Sequence, residues 1–248
     1  MSKGPTRQQR RRNKQSSAVP FYLGLGLVGI IGLMAILIYA FSNKADTTAS
    51  NAPASFDVQP TTAQTGKTAE GYWYKGDPNA PVKMEVFSDY ECPYCMQLEA
   101  DMIKNKFDEN YVNNGKVQVI YREFPLSNIH ESAQLTAEIG RCSGDQGKFW
   151  EAHDTIFSTQ KAWEENSNAR DFLIDKVAGQ GVNADQLKQC LDAGTYTSAI
   201  KASFDEGAKR NIQGTPTVFM NGTEVSFAGT SYTQSLIQAI QAANGNVK

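Results

Sequence analysis

Residues 82–95 read VKMEVFSDYECPYC. Val82 to Phe87 alternates apolar and polar side chains, as a half-buried strand does. Pro93 to Asn113 then shows helical spacing, with Met96, Leu98, Met102, Ile103, Phe107 and Tyr111 as its apolar set and Asn114-Gly115 as its stop. Lys116 to Phe124, KVQVIYREF, alternates again. The order is strand, helix, strand, and Cys92-Pro93-Tyr94-Cys95 falls where the first strand gives way to the helix.

That position matters more than the spacing. Residues three apart in the first helical turn share a face, so the sulfurs of Cys92 and Cys95 are placed to close a small disulfide ring. Cys92 sits among unpaired backbone N–H groups at the positive end of the helix dipole, which favours its thiolate and makes it the expected exposed nucleophile. Cys95, one turn in, is expected to be shielded and to act as the resolving thiol. Pro93 suits the first turn, whose N–H groups lack helical partners, and stiffens it. Half a zinc site is the competing reading of this spacing. It needs two further ligands, and neither Cys142, Cys190, His130 nor His153 stands at knuckle spacing, so no metal is expected.

Beyond the second strand, His130 to Cys142, Gln146 to Phe157, Asn168 to Ala178, Ala184 to Leu191 and Tyr196 to Asn211 read as helices separated by Gly, Asn and Ser. Thr217 to Met220 and Glu224 to Phe227 read as a hairpin around Asn221-Gly222, and Ser231 to Ala243 as a capped amphipathic helix. The expected fold class is α/β: βαβ, a helical insertion over about 127–211, then ββα, all within residues 70–248.

Upstream the character changes. Phe21 to Phe41 carries no charge over 21 residues, enough to cross a hydrocarbon core of roughly 30 Å as one helix. Residues 21–41 are therefore expected to be a transmembrane signal-anchor. A cleaved secretory signal is the alternative, but its apolar stretch runs about 7–15 residues before a small-residue cleavage site. Within this span Gly24 to Gly29 matches the dinucleotide pattern GxGxxG by chance, with no strand before it. Six of the 24 basic residues crowd into the first fourteen positions, so residues 1–20 form a basic head expected on the cytoplasmic side, with the rest of the chain outside. Residues 42–69, rich in Thr, Ala, Ser, Gln and Pro, read as a flexible tether. Downstream of the head, 18 basic residues face 26 acidic ones, a balance of −8 that argues against a nucleic-acid surface.

FSDYECPYC, together with GTPTVFMNG near the end and QGKFWEAHDTIF in the helical block, resembles the membrane-anchored DsbA-like thiol-disulfide oxidoreductases of bacteria, over roughly Tyr72 to Asn244. The resemblance implies a thioredoxin-like fold with a helical insertion. It also implies that Pro216 is a cis-proline facing the cysteine pair, with Thr215 before it offering backbone to an extended substrate segment in the manner of strand addition. From the residues alone, Gly214-Thr215-Pro216 also reads as an ordinary turn before a strand. Tyr94 stands where the best-known members carry histidine, and Pro93 and Tyr94 together tune the potential of the pair. The resemblance implies reduced secreted polypeptides as substrates and a membrane redox partner that reoxidises the pair, with the lipid bilayer holding the anchor and no cofactor. A reductase or isomerase kept reduced by a membrane donor is the enzymatic alternative. A non-catalytic peptide-binding module is the alternative of another class.

If Cys92 pairs with Cys95, Cys142 and Cys190 remain, each late in an expected helix of the insertion. A helix-to-helix disulfide is expected in an oxidising compartment, with two separate buried thiols as the alternative. Asp89 and Glu91 flank the nucleophile, where acids can raise its pKa or shuttle protons, but near a strand end they read first as solvated acids. His153 beside Asp154 lacks a GxSxG serine and reads as a packing or surface histidine. Phe149, Trp150 and Phe157 read as core, and Trp73 and Tyr74 as edge packing before the first strand.

Overall fold

A computed structural model describes residue 56, residues 61–227 and residues 231–245. The basic head, residues 1–20, and the expected anchor, residues 21–41, lie outside the described residues. Among the described residues no helix is long and apolar enough to cross a membrane.

Six strands form one sheet in the order β1-β2-β4-β3-β5-β6: β1 Thr65–Lys67, β2 Trp73–Lys75, β3 Val82–Ser88, β4 Val117–Glu123, β5 Thr217–Met220 and β6 Thr223–Glu224. Only β3 and β4 run parallel, because helix α1 (Pro93–Lys104) provides the crossover between them. The strand Thr65–Lys67 corrects the reading of 42–69 as tether throughout. Its sequence, Thr-Gly-Lys, carries no apolar alternation. It is a strand because Trp73–Lys75 folds back to pair with it, Thr65 opposite Lys75. The helix expected over 93–113 is also corrected: α1 ends at Lys104, and a π turn covers Asp108–Val112 after Lys106 takes a positive φ of 53°. Periodicity continues across that break because Phe107 still points inward.

The insertion comprises α2 Ala133–Gly144, α3 Phe149–Ser158, α4 Gln160–Glu164, α5 Ala169–Ala178, α6 Ala184–Asp192 and α7 Thr197–Lys209. The short α4 was not expected, since five residues are too few to show a period. Cys142 of α2 and Cys190 of α6 are joined by a disulfide. The hairpin turns on Asn221 and Gly222, with φ of 48° and 82°, the left-handed pair that a two-residue turn requires. Its second strand is shorter than the expected Glu224–Phe227. Helix α8, Tyr232–Gly245, closes the chain against α1 and the sheet.

Alternation along β3 divides the core in two. Val82, Met84 and Val86 face the large apolar cluster beneath α1 and the insertion, whereas Phe87 faces a smaller one with Phe124, Ile212 and Phe219. At the far edge α2 crosses so close to Trp73 that a Cβ on Gly144 would lie 2.3 Å from the indole, so only glycine fits.

Candidate active site

The cysteine pair stands at the end of β3, as the alternation and the helix start require. After Ser88 the chain turns through Asp89-Tyr90-Glu91, and the Cys92 N–H donates to the Asp89 carbonyl at 3.1 Å. Cys92 is the N-cap of α1 with extended backbone, Pro93 follows in the first turn, and the N–H groups of Cys95 and Met96 close that turn on the Cys92 carbonyl. Both cysteines are thiols here.

Cys92 is not the exposed nucleophile that the helix-start argument suggests: it is only 4% accessible, and Cys95 is fully buried. Residues remote in sequence pack over the helix start. The Cys92 sulfur donates to the Thr215 carbonyl at 3.3 Å, and Thr215-Pro216 is the cis peptide of the chain's described part. Gln160 of the unexpected α4, itself buried, donates from Nε2 to the carbonyls of Tyr90 (2.6 Å) and Cys92 (3.1 Å). Tyr94 alone of the CPYC tetrad projects outward, 57% exposed.

The two thiols differ sharply in acidity. The Cys95 S–H beside it lowers the Cys92 thiol from 9.0 to about 6, helped by the Thr215 side chain and the backbone N–H groups of Cys95 and Tyr94, and opposed by burial. The neighbouring thiol contributes more than either helix-start N–H group taken singly. Burial and the adjacent Cys92 push Cys95 well above the ordinary thiol range. Thr215 acts in two ways on the nucleophile: its carbonyl accepts from the thiol, while its buried hydroxyl, without another partner, favours the thiolate.

Asp89 and Glu91 are not solvated acids. Asp89 is 2% exposed, and its carboxylate binds the Leu126 N–H (2.8 Å), the Glu91 N–H (2.9 Å) and His130 Nδ1 (2.7 Å). Glu91 accepts from the Ser132 N–H at 2.6 Å. Together they pin the cysteine loop to the start of the insertion, a role that needs the tertiary fold to be seen. His153 is a packing residue: its ring lies among Tyr90, Tyr121, Trp150 and Phe157, with Nδ1 on Asp154 at 2.9 Å. Phe149, Trp150 and Phe157 are core. Cys142 and Cys190 are bound to each other. Among the described residues no group of three or more His, Cys, Asp or Glu is placed to hold a metal ion.

A family profile described as Thioredoxin matches residues 68–240. The chain belongs to the thioredoxin family. Within it the chain is 30% identical over 151 residues to the probable disulfide bond formation protein D of Bacillus cereus, covering 59% of this chain and 68% of that one. A Na+/H+ antiporter of Salinispora tropica matches at 30% identity over 148 residues, 60% of this chain and only 21% of the antiporter's length. The crystal structure of oxidised BdbD from Bacillus subtilis shares the fold with a TM-score of 0.63 at 24% identity, over 74% of this chain and 99% of that one. This thioredoxin-family protein is a DsbA-like thiol-disulfide oxidoreductase.

Proposed function

We propose that the enzyme works as an oxidase outside the cytoplasm, passing its Cys92–Cys95 disulfide to reduced secreted polypeptides. The observation that carries this reading is the acidic Cys92 thiol, with a pKa of about 6, set against the Thr215 carbonyl at 3.3 Å. A stabilised thiolate favours the reduced enzyme and so makes the disulfide a better oxidant. At pH 7, a thiol of pKa about 6 instead of an ordinary one stabilises the reduced form by about 1.4 kcal/mol, or about 30 mV.

In the forward reaction a substrate thiolate attacks Cys92 Sγ, the Cys92–Cys95 bond breaks and its electron pair passes to Cys95 Sγ. A second substrate thiolate then attacks the substrate sulfur of the mixed disulfide, releasing Cys92 as thiolate and leaving the substrate oxidised. The half-buried backbone at Thr215, just before β5, is the segment that pairs with an extended substrate beside Cys92. Turnover requires a membrane redox partner that takes the two electrons back. The 21 uncharged residues from Phe21 to Phe41, preceded by a basic head, support anchoring in the bilayer with the amino terminus cytoplasmic. The Bacillus cereus relative, a probable disulfide bond formation protein, supports the oxidising direction.

The test is a Cys95→Ala trap followed by a redox titration. Mixed disulfides through Cys92 that are released by a thiol reductant are expected, and clients retained after reduction identify a binding module instead. In glutathione buffers an oxidase titrates toward about −120 mV, and a value toward about −270 mV makes the enzyme a reductant.

A further inference from the structure

When the catalytic disulfide opens, negative charge arrives on Cys95, a sulfur with no solvent access. A buried anion without hydrogen bonds is costly, so the site needs donors aimed at that atom. Against burial, the Ser88 hydroxyl and the Asp89 backbone N–H both act to favour the Cys95 thiolate.

Ser88 ends β3 on the same face as Met84 and Val86, and the parallel register sets Val86 beside Tyr121 and Ser88 beside Glu123. Ser88 and Tyr121 therefore point to the same side of the sheet, where the Ser88 hydroxyl acts to lower the burial-raised pKa of the Tyr121 phenol. Tyr121 in turn packs on Tyr90, with ring centroids 5.2 Å apart. Beyond Tyr90 the row is closed by Gly140 of α2, where a Cβ would lie 3.1 Å from the phenol oxygen.

All three hydroxyls are buried, and none has a hydrogen bond of ordinary geometry while the cysteines are thiols. The His153 ring, packed on both phenols, likewise has an Nε2 without a hydrogen bond, whereas the neighbouring carboxylates are paired. Glu123 next to them is fully engaged with Arg141 at 2.7 and 2.6 Å, and Asp89 has every oxygen paired. Leaving a buried hydroxyl without a partner is unfavourable, and three contiguous ones leading to one sulfur make a chain of donors lacking its acceptor.

We propose that Ser88, Tyr121 and Tyr90 form a hydroxyl chain that holds the Cys95 thiolate as it leaves the disulfide, Tyr90 donating to Tyr121, Tyr121 to Ser88 and Ser88 to the sulfur. The step balances without proton transfer. The incoming thiolate forms its bond to Cys92 Sγ, the Cys92–Cys95 bond breaks, and the charge brought by the substrate ends on Cys95 Sγ. Burial keeps both phenols protonated, hence donors, throughout the working pH range. By this assignment Ser88 is the member of the chain that meets the reacting sulfur, and so a catalytic residue. Tyr121 and Tyr90 position it and polarise its O–H.

The proposal rests on disulfide exchange at Cys92–Cys95. It is tested on the oxidised full-length protein by stopped-flow reaction with reduced glutathione. Ser88→Ala is expected to slow the opening of the disulfide roughly tenfold, the effect of removing one hydrogen bond to a charged atom. Tyr121→Phe, which deletes one oxygen and keeps the ring, is expected to slow it about threefold. The double variant is expected to be no slower than Ser88→Ala alone, since Tyr121 acts through Ser88. A merely structural role predicts additive slowing that tracks loss of thermal stability. Wild-type rates in both single variants, or additive losses in the double variant, overturn the chain. Wild-type enzyme that opens with glutathione yet oxidises no dithiol peptide overturns the oxidase reading, while the Ser88 dependence is still read from the glutathione reaction.

Discussion

The Cys92 sulfur lies 3.3 Å from the carbonyl oxygen of Thr215, a residue 123 positions away in sequence. This contact brings the helix start and the turn before β5 into one site, and it places the substrate-pairing backbone beside the nucleophile.

Thr215 is expected to set part of the acidity of Cys92 through its hydroxyl. Thr215→Val keeps the shape and the carbonyl but removes that donor, so the thiolate loses a hydrogen bond while the thiol keeps its own. The pKa of Cys92 should rise from about 6 by roughly one unit, as read from the pH dependence of its alkylation rate. An unchanged profile would assign the acidity to Cys95 and the backbone alone.

The reduced protein should gain stability with pH where the oxidised protein does not. Folding lowers the Cys92 pKa from 9.0 to about 6, so its stabilising contribution is complete above about 9 and is lost as pH falls through about 6. The slope between those limits is at most about 1.4 kcal/mol per pH unit, one proton's worth. Above 9 the burial that keeps Cys95 protonated works in the opposite direction. Denaturant titrations of the reduced, oxidised and Cys92→Ser proteins from pH 5 to 9 read this directly; parallel curves for all three would refute it.

Cys142–Cys190 closes a loop of 48 positions between α2 and α6. Replacing both cysteines by serine is expected to cost about 4 kcal/mol of stability in the loop-entropy model, with the exchange rate at Cys92 unaltered in the protein that remains folded. Urea unfolding together with glutathione kinetics separates the two effects. A parallel loss of exchange would tie the staple to the site itself.

The Glu123–Arg141 pair is buried on both sides, 2% and 4% exposed, and bidentate. Arg141→Leu leaves a buried carboxylate without its partner and should cost about 3–5 kcal/mol, whereas the double change Arg141→Leu/Glu123→Leu should recover most of that. Equal losses in the single and double variants would show that packing of the guanidinium, not its charge, holds α2 to the sheet.

Legibility of these features in the sequence follows their range. β3, β4 and the start of α1 are readable because each is locally periodic, whereas the end of α1 is not, since Phe107 carries the period across the break at Lys106. The five-residue α4 and the three-residue β1 are not readable either, because neither is long enough to repeat. That difference had consequences at the site: Gln160, which holds the Tyr90 and Cys92 carbonyls, lies on the helix that periodicity missed. Asp89 looked like an ordinary surface acid, and nothing nearby in the chain announces that Leu126 and His130 close over it.

The sequence by itself determined that two cysteines open a helix at the end of a strand in an α/β chain, because strand alternation, helix initiation and the proline between the sulfurs all depend on neighbours within a turn. Only the tertiary structure decided that Cys92 is covered, that Thr215 and Gln160 are its partners, and that Ser88, Tyr121 and Tyr90 line up toward Cys95. Those relations depend on strand register and on which loops pack over the sheet, and such distant contacts leave no periodic trace along the chain.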